Sequence, residues 1–126
     1  MPTLTRFLFT RGSDFNAERV KAAAFFDFKD PRISVFETTG VADAEIWQWG
    51  EQHVVPIRQK PLLARADLPQ EALTEPGLNL ELDQPPPRHY NIVGFPAERR
   101  AMMLAAQQLA KTATLVPRPP IVTEQC

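Results

Sequence analysis

Cysteine is almost absent from this chain: there is one, Cys126, and it is the last residue. A single thiol forms no internal disulfide and supplies no cysteine-rich metal site. It also stands too late for a prenylation box, which needs cysteine fourth from the end. Histidine is nearly as scarce. His53 and His89 are the only two, neither in a ligand-spaced motif, so no metal is expected. Phosphate-cradling glycine loops of the Gly-x-x-x-x-Gly-Lys and Gly-x-Gly-x-x-Gly kinds are missing, so no cofactor is expected either. No run approaches the roughly 18 apolar residues of a membrane span. Met1-Pro2-Thr3-Leu4-Thr5-Arg6 lacks the apolar stretch of a secretory signal, which makes a cytoplasmic location the expectation. An excess of charge is lacking too: the net charge is −1, leaving no global basic field to hold nucleic acid.

What is present is a globular balance, 44% hydrophobic and 23% charged, over 126 residues. That length buries enough surface for one domain without staples. The 13 prolines gather at 85–87 and 117–120 and otherwise sit singly at boundaries, as punctuation. Apolar alternation or β-branching predicts strands over 4–9, 33–38, 62–68, 78–82 and 89–93. Ser13 or Asp14 is expected to cap a short helix over 14–19, and 20–28 fits a helix or an extended loop equally. A helix is predicted over 42–52, with Asp43 as a cap and Pro56 as a stop. Pro69 opens a helical turn or two. Ala101, Ala105, Leu109 and Ala113 recur every four residues, with Met102 and Ala106 beside them, predicting a helix over 97–113. Thr114-Leu115-Val116 returns as an edge strand. The fold class is therefore α+β, a mixed or largely antiparallel sheet with helices mainly on one face. The domain is assigned to 1–116 and a proline-rich tail to 117–126.

The stretch Gln84-Pro85-Pro86-Pro87-Arg88-His89-Tyr90-Asn91-Ile92-Val93-Gly94-Phe95-Pro96 concentrates polar chemistry at the edge of a strand. Consecutive prolines restrict φ and favour an extended polyproline path, delivering Arg88 and His89 from a stiff lead-in. An imidazole changes charge near neutrality, and a guanidinium holds phosphate or carboxylate in a fork. Tyr90 adds a stacking ring. The plainer reading is a solvated strand entry. Arg6 shares a side with Leu4 and Leu8 and either enters a cleft or lays its stem along the sheet. Ser34 has no Gly-x-Ser-x-Gly elbow around it, which points away from a hydrolase nucleophile. Asp67, Glu81 and Asp83 act as bases only where a cleft converges on them. Trp47 and Trp49 point to different sides of their helix, so one is core and the other, where exposed, is an anchor for a protein partner. Phe25, Phe26 and Phe28 are expected in the core.

Val20-Lys21…Ala24-Phe25, Ile33-Ser34-Val35-Phe36, Glu45-Ile46-Trp47 and 86–96 together resemble a loose group of short uncharacterised bacterial proteins, over about residues 4–116. That resemblance implies only a complete unit. A fainter one is to small ADP-ribosyltransferase-like folds, which place an arginine on a first strand and a serine on a later one. Arg6 and Ser34 match these, and Glu81 stands for the glutamate without the family's usual motif around it. Two functions of different kinds follow. The first is a small binding module for a protein partner through Trp47 or Trp49. The second is an enzyme on a nucleotide-like or phosphorylated substrate. In it Arg6, Arg88 and Tyr90 bind the anionic small molecule, and His89 with Glu81 or Asp67 does the proton chemistry. RNA binding comes third, against the charge balance.

Overall fold

The computed structural model describes residues 2–27 and 29–119. Phe28, and Cys126 with the rest of 120–126, lie outside the described residues. Six strands form one antiparallel sheet: β1 (Thr3–Leu8), β2 (Ile33–Glu37), β3 (Ala64–Pro69), β4 (Asn79–Leu82), β5 (His89–Val93) and β6 (Thr114–Pro117). Their order is β4-β5-β2-β1-β3-β6. The expected α+β class holds, and every strand pairing is antiparallel. β6 pairs along β3 through Pro117, and Arg118 N donates to Leu63 O, so the sheet edge runs into the segment expected as tail.

Alternation along the strands sorts side chains onto two faces. Leu4, Leu8, Ile33, Val35, Ile92, Ala64, Ala66 and Leu68 share one face and are buried in one cluster. α3 (Arg99–Thr112) covers it with Ala106, Leu109 and Ala110, helped by a 3-10 turn at Ala22–Phe25. Small residues on α3 let the helix lie close to the sheet. Its first turn starts later than the alanine spacing predicts. Glu98 is the N-cap, its carboxylate accepting from Arg100 N and Ala101 N, both at 3.0 Å. A capping carboxylate satisfies amides that the helix leaves unpaired.

The other face carries Phe7 and Phe36 and meets a second cluster with Ile46, Trp47 and Leu62. α1 (Asp43–Trp49) lies there and continues through a π turn, Gly50–Val54, into α2 (Val55–Arg58). Pro56 therefore does not stop the helix. Proline lacks a donor and its ring strikes the carbonyl four residues back, and the wider π turn before it relaxes both demands. Val55 N reaches back to Gly50 O. Gly50 itself is a point of close approach: a Cβ there would sit 2.6 Å from Leu62 Cδ2 and 2.9 Å from Phe7 Cε1. Asp43 is the first residue of α1 rather than its cap, and its carboxylate goes to Arg65 at 2.7 Å.

Two further expectations change. Residues 14–19 form no helix. Asn16 Oδ1 accepts from Glu18 N and Arg19 N, and bridges Arg11–Phe15 and Phe15–Val20 close the loop. Asparagine favours such a turn over helix by supplying its own acceptor. The proline run is not an extended polyproline segment, because Gln84–Pro85 and Pro85–Pro86 are cis.

Candidate functional site

β2 and β5 build the site by register. Phe36 lies opposite His89 and Ser34 opposite Asn91, so all four project to the α1–α2 face. His89 Nε2 is 2.5 Å from Ser34 Oγ, and its ring meets Phe36 edge-on at 5.1 Å. On its far side Nδ1 is 2.8 Å from the backbone carbonyl of Asp83 and 3.5 Å from the Asp83 carboxylate. A carbonyl only accepts, so Nδ1 carries a proton, and in the neutral imidazole Nε2 is the acceptor. Ser34 Oγ then donates to Nε2. Asn91 Nδ2 donates to Asp83 Oδ2 at 3.0 Å and fixes the loop that holds the imidazole.

These groups open into a cavity of about 380 Å³. Phe7, Ser34, Phe36 and Asn91 line it from the sheet. His53, Val54, Ile57 and Arg58 come from the π turn and α2, and Pro85 and Pro86 from the β4–β5 loop. His53 stacks on Phe36 at 6.3 Å, so the Phe36 ring lies against both histidines. Ile57, 80% exposed, gives the rim an apolar side.

Arg6 reaches this cavity through a gap in the sheet. β1 and β2 pair only at Leu4–Glu37 and Thr5–Phe36. Beyond that, Arg6 Nη1 donates to Ser34 O and Nε to Ala24 O, both at 3.0 Å. No carboxylate lies within ion-pair distance of it among the described residues. Its pKa is lowered to about 10, chiefly by burial and then by the charge of Arg58, with Asp14 and Asp27 opposing. It is still charged at neutral pH, and a bound anion would relieve both costs. Arg32, also on the wall, is matched by Asp30 at 3.1 Å. Arg58 rests over Phe9 at 5.6 Å. Three arginines thus face two carboxylates, Asp30 and Asp83, each already engaged.

The other residues singled out in the sequence are elsewhere. Arg88 adopts φ of +65° and turns to Glu37 at 2.6 Å and to the Trp49 ring at 5.7 Å, away from the cavity wall. Tyr90 falls on the α3 face, one residue out of phase with His89, and packs against the first cluster. Glu81 is exposed on edge strand β4, opposite Asn91, and does not line the cavity. Asp67 accepts from Thr5 Oγ1 at 2.7 Å and pairs with Arg65 at 3.2 Å. Trp47 is buried, with Arg65 over its ring at 4.9 Å and Arg118 at 5.9 Å. Trp49 is half-buried against Phe36 and beneath Arg88. Arg58 is the member that sequence reasoning passed over, while Asp83 was read as a base only where a cleft converges and Ser34 as lacking a hydrolase elbow. A period-two count on 33–36 and 89–91 puts Ser34 and His89 on one face, but only once β2 and β5 are known to be neighbours.

Among the described residues no group of three or more His, Cys, Asp or Glu side chains is placed to hold a metal, and no helix is long and apolar enough to cross a membrane. No protein-family model matches the chain, and neither a curated protein nor a solved structure matches it. What the chain does is therefore argued from the site alone.

Proposed function

We propose that the chain acts on a small phosphorylated, nucleotide-like ligand bound in the cavity between β2, β5 and α2. The observation that carries this reading is Arg6: a guanidinium held by two backbone carbonyls, without a carboxylate, at a cavity wall where Arg58 adds a second cation. Such a site gains from an anion what burial cost it. Fork-shaped donors suit phosphate oxygens, and Phe36, His53 and Ile57 offer apolar and ring surface for the rest of the molecule. A partner-binding role for Trp47 and Trp49 has less support, since the first is buried and the second lies under Arg88.

The test is calorimetry and thermal shift with inorganic pyrophosphate and nucleoside monophosphates. A ligand at 100 times its Kd adds about 2.7 kcal/mol of stability. Arg58 is exposed, so Arg58→Gln is expected to lower the melting temperature of the free protein only slightly, by the loss of its contact with the Phe9 ring. The same change is expected to weaken binding about tenfold, as loss of a charge-assisted hydrogen bond does. Absence of binding by every phosphate compound at millimolar concentration, or equal affinity in Arg58→Gln, overturns the reading.

A further inference from the structure

We infer that Ser34 is a nucleophile and His89 its general base, making the site a phosphoester hydrolase that passes through a phosphoserine. The substrate class rests on the phosphate reading above; the nucleophile rests on geometry of its own. Ser34 Oγ and His89 Nε2 stand 2.5 Å apart, inside the reach a nucleophile and its base need. The base is oriented in turn. Its Nδ1–H is tied to Asp83 O at 2.8 Å, which holds the tautomer whose free lone pair faces the hydroxyl. Here a carbonyl does the orienting, and the Asp83 carboxylate is only a 3.5 Å neighbour. Both Ser34 and His89 line the cavity, so the hydroxyl faces the space a substrate would fill. Arg6 donates to the backbone carbonyl of Ser34 itself, which brings a cation next to the nucleophile, where charge grows on phosphoryl oxygens. A structural Ser–His hydrogen bond needs neither the oriented tautomer nor the cation beside an open cavity.

The step balances as an ester hydrolysis. Ser34 Oγ bonds to phosphorus as its proton passes to His89 Nε2. The bond from phosphorus to the alcohol oxygen breaks, and the departing oxygen takes that proton. Water then attacks the phosphoserine, giving a proton to Nε2. The Oγ–P bond breaks, Oγ recovers the proton, and inorganic phosphate leaves.

The experiment incubates the full chain with an alkyl fluorophosphonate, whose fluoride leaves on attack, and maps the adduct by peptide mass spectrometry. One adduct on Ser34 is expected. Ser34→Ala should abolish it, and His89→Gln should slow labelling by about 100-fold or more, the usual share of a general base. Pyrophosphate binding by the wild-type chain is read separately by thermal shift, and a cooperative melt of free Ser34→Ala reports that this variant is folded. No adduct on Ser34 in the folded wild-type chain overturns the inference, as does labelling of His89→Gln at the wild-type rate. Pyrophosphate binding without Ser34 labelling removes the nucleophile and spares the ligand reading. Ser34 labelling without phosphate binding upholds the nucleophile and removes the phosphate.

Discussion

The two faces of the sheet do different work. Against α3 the sheet offers Leu4, Leu8, Ile33, Val35, Ile92 and Leu68, all 0–2% exposed, with Leu109 above them. Against α1 and α2 it offers a smaller aromatic cluster and most of the buried polar groups among the described residues. Thr5 and Arg65 are there by register, with Asn91 on the same face beside the cavity. Thr5 shows how tightly that second face is wired. Its one proton goes to Asp67, so Thr38 must donate to it across 2.8 Å. Arg65 spends Nε on Asp67 and Nη2 on Asp43, leaving Nη1 buried without a partner. A face filled by aliphatics supplies stability, and the face that keeps charge in fixed places is the one onto which the proposed ligand cavity opens.

The largest expected effect breaks the first face and leaves the second alone. Leu109→Ala removes a fully buried side chain facing the sheet. The cost should be about 2–5 kcal/mol in chemical denaturation. Where the protein remains folded, its affinity for pyrophosphate should be that of the wild type, since Leu109 is on the face away from the cavity. A large fall in affinity with Leu109→Ala would show that the faces are coupled. Gly50→Ala comes next and acts on the second face. The added methyl meets Leu62 Cδ2 and the Phe7 ring at distances real β-carbons do not show, so those side chains or the helix backbone must shift. Overpacking of this kind costs about 1–3 kcal/mol. Because the π turn carries His53 and Val54 into the cavity wall, the same substitution should also weaken ligand binding.

The comparison also explains what was legible in advance. The aliphatic face was read well, because its signal is local. Leu109 and its four-residue companions, Ile33 and Val35, and Ile92 mark their elements by spacing alone. The site was read in part. Arg6 and His89 both line the cavity. Arg88, Tyr90 and Glu81 do not line it, since side-chain direction depends on register and on a left-handed backbone at residue 88 that no pattern announces. Ser34 was set aside for want of an elbow motif, yet a strand serine meets a histidine whenever the neighbouring strand delivers one. The helix through Pro56 was missed because a π turn has no sequence signature as strong as proline's.

A smaller effect concerns the clamp beside the site. Arg88 ties the β4–β5 loop to the end of β2 through Glu37 and Thr39 O, at the cost of a left-handed φ. Arg88→Ala should cost about 1 kcal/mol or less, the share of a partly exposed ion pair, since arginine and alanine alike hold a β-carbon at positive φ. Arg88→Gly loses the same pair but relieves the backbone, so it should be the more stable of the two variants by up to about 1 kcal/mol. Equal stabilities would mean that the backbone at 88 relaxes once the guanidinium is gone.

The smallest effect is a pH dependence at the other end of that clamp. Burial pushes the Glu37 pKa up, but hydrogen bonds from Thr39 and Arg88 outweigh it, and the net shift is below the ordinary 4.5. A carboxylate with a lowered folded pKa binds protons less readily than in the unfolded chain. Its contribution is therefore complete above about pH 4.5 and is lost as pH falls through the lower folded value. Glu37→Gln keeps the shape and removes the titration. Wild type should be the more stable at pH 6, by about 1 kcal/mol or less for a pair this exposed. The difference should shrink steadily below pH 4.5, as measured by urea denaturation across the range. Arg88→Ala should flatten the acid dependence only in part, because the Thr39 amide still donates to Glu37 at 3.0 Å. A wild-type curve parallel to Glu37→Gln at every pH would place the clamp's stability in packing against Trp49 rather than in charge.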